Sequence, residues 1–261
     1  MKKTKSRSEV WSPKERMLRD MLKDLRKHGC VALKFGTESE SNSFEEISYF
    51  NRLAYGILPV IVKIGGSDAR NDIKKLMEIG VAGTIAPMVE SSYGLKNYIS
   101  AMKAILKEKF DTWFKSILIE TPQAIDNISN ILSVPESKFL NEIMVGRRDL
   151  STATKKDPDD LSVTKLCKKV NEKTHMAGIT TAVGGGITQS NARHIARGIK
   201  PDKVFTRYVV FDVKKSPEIG EAVKKGLEFE VALYEDEREE LKTRLDHVEY
   251  RIKELKRRSA A

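Results

Sequence analysis

Two carboxylates stand out by their settings. Glu120 closes the apolar run Ile117-Leu118-Ile119 and is followed by Thr121-Pro122, while Asp149 follows Val145-Gly146-Arg147-Arg148 and precedes Leu150-Ser151. An acid at the end of a β-branched run, followed by residues that start helices, reads as the C-terminal tip of a buried parallel strand. Parallel α/β folds carry their chemistry at such tips. Two acidic side chains converging from neighbouring strand ends suit a hard divalent cation, Mg²⁺ or Mn²⁺. Taken singly, either acid could equally cap its following helix.

The elements that must position these acids form a repeat. Strand-like runs at 30–35, 58–64, 83–89, 116–120, 142–145, 180–183 and 204–211 alternate with amphipathic stretches at 68–79, 93–107, 122–132, 161–176 and 189–198. Repeated strand-then-helix points to a parallel sheet with helices outside, and 261 residues suit its closure as a (β/α)8 barrel, an α/β fold. Seven strands are clear. The eighth is sought around Val10 and Trp11, ahead of a helix at 13–28, so an atypical first strand is expected. The domain reading is a basic helical segment at 1–28, a catalytic barrel at 29–223 and a C-terminal helix at 224–261. In that helix Leu241, Leu245, Val248, Ile252 and Leu255 are spaced alternately four and three apart, a heptad stripe expected to join subunits of a homo-oligomer.

The net charge of +10 suggests nucleic acid until it is localised. Residues 1–28 carry ten Lys/Arg against four Asp/Glu and residues 251–258 five against one, leaving the centre of the chain neutral. A polynucleotide groove would spread positive charge over the folded domain, so no nucleic-acid partner is expected. Cys30 and Cys167 lack disulfide or zinc spacing. The basic N-terminus lacks the apolar stretch of a signal peptide and no run approaches a membrane span, so a cytoplasmic protein without a membrane partner is expected.

At Glu120 and Asp149 the chain resembles the divalent-metal-dependent 2-oxo-acid aldolases and citrate lyase β-subunits, a family that includes malyl-CoA lyases. The resemblance spans most of residues 30–211. It rests on Pro59-Val-Ile-Val-Lys63, on Ile79-Gly-Val-Ala-Gly83 through Ile85-Ala-Pro-Met-Val-Glu90, on Ile119-Glu-Thr-Pro-Gln-Ala124 with Asp126-Asn127, and on Gly146-Arg-Arg-Asp-Leu-Ser151. It implies that Glu120 and Asp149 hold the metal and that the backbone after Gly146 cradles the carboxylate of a pyruvate-like substrate. It also implies carbon–carbon lyase or aldolase chemistry through an enolate, whose oxygen a metal ion stabilises as a Lewis acid without a Schiff-base lysine.

Departures from that pattern carry their own expectations. Where the family commonly has Glu-His, this chain reads Thr37-Glu38-Ser39-Glu40, and His28, His175, His194 and His247 all fall on helical stretches. Proton transfer is therefore expected of Glu38, with Glu40 as the alternative; both could instead belong to a polar capping loop. Lys63 stands where the family usually has arginine, keeping the charge and losing the bidentate fork; the alternative is a solvent-facing loop start. Arg147 and Arg148 replace small neutral residues and suggest a substrate more anionic than pyruvate.

The run Gly184-Gly185-Gly186-Ile187-Thr188 resembles the phosphate loops of other barrels, whose backbone N–H groups and following helix N-terminus close around an anion, or else is only a tight turn. Arg207 is a candidate partner for the same anion. Two other functions remain open: phosphoryl or enolpyruvyl chemistry on a phosphorylated three-carbon acid, and a degenerate barrel used for binding or scaffolding.

Overall fold

The computed structural model describes residues 11–240 and 245–260, and the side chains of 236–247 are outside that description. Strands β1 (Cys30–Gly36), β2 (Val60–Lys63), β3 (Gly83–Ala86), β4 (Phe114–Ile119), β5 (Glu142–Gly146), β6 (Thr180–Gly184), β7 (Lys203–Phe205) and β8 (Val209–Asp212) close a barrel in sequence order. Helices α1 (Pro13–Lys27), α2 (Phe44–Ala54), α3 (Arg70–Ile79), α4 (Ser92–Leu106), α5 (Pro122–Asp126), α6 (Ile128–Ser133), α7 (Arg147–Thr154), α8 (Leu161–Met176), α9 (Gln189–Ile199), α10 (Ile219–Glu240) and α11 (Leu245–Ser259) accompany it. No described helix is long and apolar enough to cross a membrane.

The eighth strand is not where the sequence placed it. Val10 lies outside the described residues, and Trp11 precedes α1 without strand structure, its ring under the guanidiniums of Arg19 and Arg52. Instead the apolar run 204–211 folds on itself. Thr206-Arg207-Tyr208 is far too short for a crossover helix, so β8 returns antiparallel, pairing with β7 on one side and β1 on the other. Thr206 pins the turn: its N–H donates to the Val209 carbonyl at 3.0 Å and its Oγ1 accepts from the Val209 N–H at 3.1 Å. The barrel thus has seven parallel strands and one antiparallel, and Lys63 ends the second strand.

Strand alternation explains the interior. Ala32, Ile61, Ile85, Leu118, Met144, Ala182, Phe205 and Val210, one from each strand, form one buried apolar layer. With a period of two, the residue two positions further along a parallel strand faces inward one layer higher, toward the C-terminal mouth. Of those positions, Lys34, Lys63, Glu120, Gly146, Gly184 and Arg207 line one cavity, while Pro87, two beyond Ile85, does not.

The helices at either end of the strand series pack into the core of the barrel. Leu18, Leu22 and Leu25 of α1 and Leu227, Phe229 and Leu233 of α10 join the main core. The boundary expected at 224 falls inside α10. The C-terminal stripe is also covered within the chain: Val248, Ile252 and Leu255 are buried in the same core, while Leu241 and the Leu245 side chain lie outside the described residues. Val248, Ile252 and Leu255 therefore do not present an open apolar face to another subunit.

Candidate active site

The cavity at the barrel mouth is about 200 Å³, room for a small metabolite. Leu118 and Met144 make its floor; Glu120, Asp149, Lys34, Lys63, Glu40, Arg148, Arg207 and the Gly184–Gly186 run line it, and Arg251 and Arg258 reach it from α11.

Glu120 is buried, directly after β4. Its Oε1 accepts the Met88 N–H at 3.2 Å, and its neighbour Thr121 donates to Glu90 Oε1 at 2.5 Å while capping α5. Asp149 is exposed and lies in the first turn of α7, one step beyond the strand end at which the sequence had set it, because β5 already stops at Gly146. The two carboxyls meet. Burial and the hydrogen bond to Asp149 push the Glu120 carboxyl up to about 8, against the pull of Lys63. Two carboxyls brought together, one of them buried, fit a divalent cation, which satisfies both groups' need for positive charge. Among the described residues no third His, Cys, Asp or Glu joins them, so further ligands would come from substrate and water.

A sign follows for the metal-free protein. The folded Glu120 value lies above the unfolded one, so the folded state holds more protons between about pH 4.5 and 8, and this group's contribution to stability falls as pH rises through that window. Thermal melts of metal-free wild type and Glu120→Gln across pH 5 to 8 should diverge accordingly, wild type losing more; parallel profiles would contradict the raised Glu120 value.

Gly146 makes the approach possible. A Cβ there would lie 3.0 Å from Glu120 Cγ and Oε2. Gly146→Ala should therefore displace the carboxylate and weaken Mn²⁺ binding roughly tenfold, with a near-native circular dichroism spectrum, as expected for a change that disturbs a ligand's position without removing it. Unchanged Mn²⁺ affinity would show that the approach has no bearing on the site.

The remaining acids serve lysines. Glu40 Oε1 lies 2.7 Å from Lys34 Nζ, and Glu40 Oε2 lies 3.4 Å from Lys63 Nζ. Burial would raise the Glu40 carboxyl, but Lys34, Lys63 and Arg207 outweigh it and hold the group well below the ordinary carboxylate range. Glu40 is thus fixed as an anion. Burial likewise lowers the Lys34 ammonium, and the pair with Glu40 restores only part of it. Lys63 is buried, not solvent-facing as its alternative reading had it; burial opposes its charge, yet Glu40, Glu38 and Glu120 raise it above an ordinary lysine.

Several expected site residues take other places. Glu38 sits outside the cavity lining, 37% exposed and 2.6 Å from Lys63 Nζ, so the structure makes it the holder of Lys63. Arg147 is turned away from the cavity: its guanidinium is buried and donates to the carbonyls of Gly185 (3.2 Å) and Pro158 (2.6 Å) and to Asp159. It clamps the glycine run to the loop before α8. Gly185 and Gly186 have positive φ, 89° and 67°, and a Cβ on Gly185 would stand 2.6 Å from the Arg148 nitrogen, so the run leaves open a cradle at the start of α7. The helix after it does not complete a phosphate loop, because Thr188 and Asn191 cap the N-terminus of α9 with their own side chains. Arg207, at the tip of the β7–β8 turn, lines the cavity and donates to the Ser39 carbonyl at 3.0 Å. None of His28, His175 or His194 lines it, and the His247 side chain lies outside the described residues.

Solved structures share this architecture. An HpcH/HpaI aldolase from Desulfitobacterium hafniense is 19% identical, with a TM-score of 0.58 over 72% of this chain and 81% of that one. An HpcH/HpaI aldolase/citrate lyase family protein from Burkholderia cenocepacia is 13% identical, TM-score 0.57, over 73% and 91%. The citrate synthase SbnG is 18% identical, TM-score 0.58, over 74% and 81%. The chain has their fold. No protein-family model and no curated protein sequence matches it.

Sequence reasoning missed Lys34, Arg251 and Arg258. Lys34 had a readable signal, a lysine inside an otherwise apolar strand and two residues after the inward Ala32; the arginines had none, since they reach the mouth only through the fold-back of α11.

Proposed function

We propose that the chain is a carbon–carbon lyase or aldolase acting on a 2-oxo acid through its enolate, with Mg²⁺ or Mn²⁺ held by Glu120 and Asp149. The observation that carries this reading is the meeting of the Glu120 and Asp149 carboxyls at the mouth of a barrel otherwise lined mostly by cations. The fold shared with aldolases and citrate lyases supports it. When bound, the ion would supply Lewis-acid stabilisation of the enolate oxygen.

The chain's own residues would do the rest. Backbone N–H groups at the start of α7, beside Gly185, would receive the substrate carboxylate at the positive end of the helix. Lys63, held by Glu38 and Glu40, would place its ammonium toward the developing negative charge. Of the two cavity-lining lysines, Lys34 is the one that burial moves, on balance, toward neutrality, the direction an acid–base residue needs. Glu40, fixed as an anion, would orient both lysines.

The test is exchange of pyruvate methyl protons with deuterated solvent, followed by proton NMR with and without Mn²⁺. Enolate formation alone produces exchange, so no acceptor aldehyde need be known. Exchange dependent on Mn²⁺ and on the protein supports the reading. No exchange would favour the phosphoryl or enolpyruvyl alternative, for which the excess of arginine speaks, or a non-catalytic barrel.

A further inference from the structure

α11 ends over the mouth of its own barrel, and its cationic residues there have unfinished business with charge. Six cationic side chains line the cavity (Lys34, Lys63, Arg148, Arg207, Arg251 and Arg258) against three carboxylates, Glu40, Glu120 and Asp149. Glu40 pairs with both lysines and its charge also reaches Arg207, while Glu120 and Asp149 face each other. Outside the lining, Glu254 bridges Arg148 at 2.8 Å and Arg251 at 2.9 Å, one carboxylate for two guanidiniums.

Arg207 and Arg258 have less. Arg207 donates to the Ser39 carbonyl at 3.0 Å and reaches the Tyr234 hydroxyl, Arg258 donates to the Ile187 carbonyl at 2.7 Å, and no carboxylate among the described residues lies within ion-pair distance of either. The Glu230 carboxylate acts on Arg258 from farther off, its Oε1 engaged by Thr206 and the Tyr208 N–H. The Nε atoms of Arg207, Arg251 and Arg258 are buried without a hydrogen-bond partner. Arg148 and Arg207 stand near enough for their charges to work against that of Arg258. Like charges gathered in a desolvated space, with donors unspent, are stabilised by an anion that accepts from several guanidiniums at once.

We propose that α11 builds a phosphate subsite over the barrel mouth, in which Arg251 and Arg258 join Arg148 and Arg207 around a phosphate group carried by the substrate. The inference rests on the reading of the mouth as a 2-oxo-acid site and names the second anionic group that site accepts. A carboxylate is already provided for at the start of α7. The remaining excess of guanidinium matches a group with nearly two negative charges and three terminal oxygens. The glycine run assists by leaving the space open; the donors are arginines, not the capped N-terminus of α9.

Calorimetric titration of the full chain with inorganic phosphate, and separately with malonate, tests this at fixed ionic strength without added metal. Wild type should bind phosphate saturably and more tightly than malonate. Arg251→Met and Arg258→Met should each weaken phosphate roughly tenfold or more, the loss of a hydrogen bond between charged partners. Arg258→Lys should fall between, and Arg257→Ala, at an exposed position of the same helix, should match wild type. Melting curves check that each variant is folded, and Arg258→Lys carries the comparison if a methionine variant is not.

Absence of saturable phosphate binding, equal weakening by Arg257→Ala, or tighter binding of malonate would overturn the proposal. Arginine-dependent phosphate binding in a protein that fails to exchange pyruvate protons would sustain the subsite and overturn the enolate reading. Exchange without phosphate binding would do the reverse.

Discussion

Glu120→Gln and Asp149→Asn are each expected to reduce Mn²⁺-dependent exchange of pyruvate methyl protons by at least about 100-fold, more than the 10- to 100-fold typical of losing a group that only supports a metal ligand. Each substitution keeps the shape of the side chain and removes the negative charge. In Glu120→Gln the amide can still accept the Met88 N–H that Glu120 Oε1 accepts at 3.2 Å, so the β4 end keeps its local geometry. Asp149 is exposed, and its loss disturbs no core. Folding should accordingly survive both changes, and Mn²⁺ affinity should fall with the exchange rate. Retained exchange in either variant would remove that carboxylate from the assignment.

The second large effect is on stability. Glu40→Gln should destabilise the barrel by about 3–5 kcal/mol, the usual cost of removing one partner from a buried ion pair. Lys34 is then left in a buried site with no carboxylate within ion-pair distance, whereas Lys63 retains Glu38. For a domain of this size that corresponds to a melting temperature lower by roughly 6–20 °C. The pH profile adds a separate check. Because the folded Glu40 value lies below the unfolded one, its contribution is fully present above about pH 5 and is lost as pH falls through and below the ordinary glutamate range. Wild type should show that acid-side loss and Glu40→Gln should show less of it. Urea titrations from pH 3 to 7 measure both, and a difference under about 1 kcal/mol at pH 7 would mean that the lysines find other compensation.

How much of this was legible in the chain differs residue by residue. Glu120 announced itself because a single acid ended a run of buried strand residues, and that local pattern survives folding intact. Asp149 was readable as a partner, and the strand end expected at 145 lies within one residue of Gly146; what the local pattern left open is that the acid sits in the first turn of the helix that begins at once. The run 204–211 carried uniform strand propensity and hid a three-residue reversal; the decisive contacts are Thr206 on its own backbone and Glu230, 24 positions away, holding Thr206 and Tyr208.

Distance along the chain decided the rest. Arg147 and Arg148 are neighbours of the same type, yet one is buried behind the glycine run and the other lines the cavity, a difference set by Asp159 and Pro158 on the next loop and by Glu254 on the last helix. Of the C-terminal stripe, Val248, Ile252 and Leu255 are covered by the chain's own core, and the choice between self-packing and a second subunit lies in long-range packing that periodicity does not contain. Glu38 and Glu40 differ only in reach: one holds Lys63 from the rim at 2.6 Å, the other is buried between two lysines.

The most direct measurement of the central claim is electron paramagnetic resonance of Mn²⁺ titrated into the full chain, with and without oxalate as a stable analogue of the pyruvate enolate. The account predicts a saturable site whose affinity rises when oxalate is present, and which is lost when Glu120→Gln and Asp149→Asn are combined. Mn²⁺ that stays free at millimolar protein, or that binds equally well to the double variant, would contradict it.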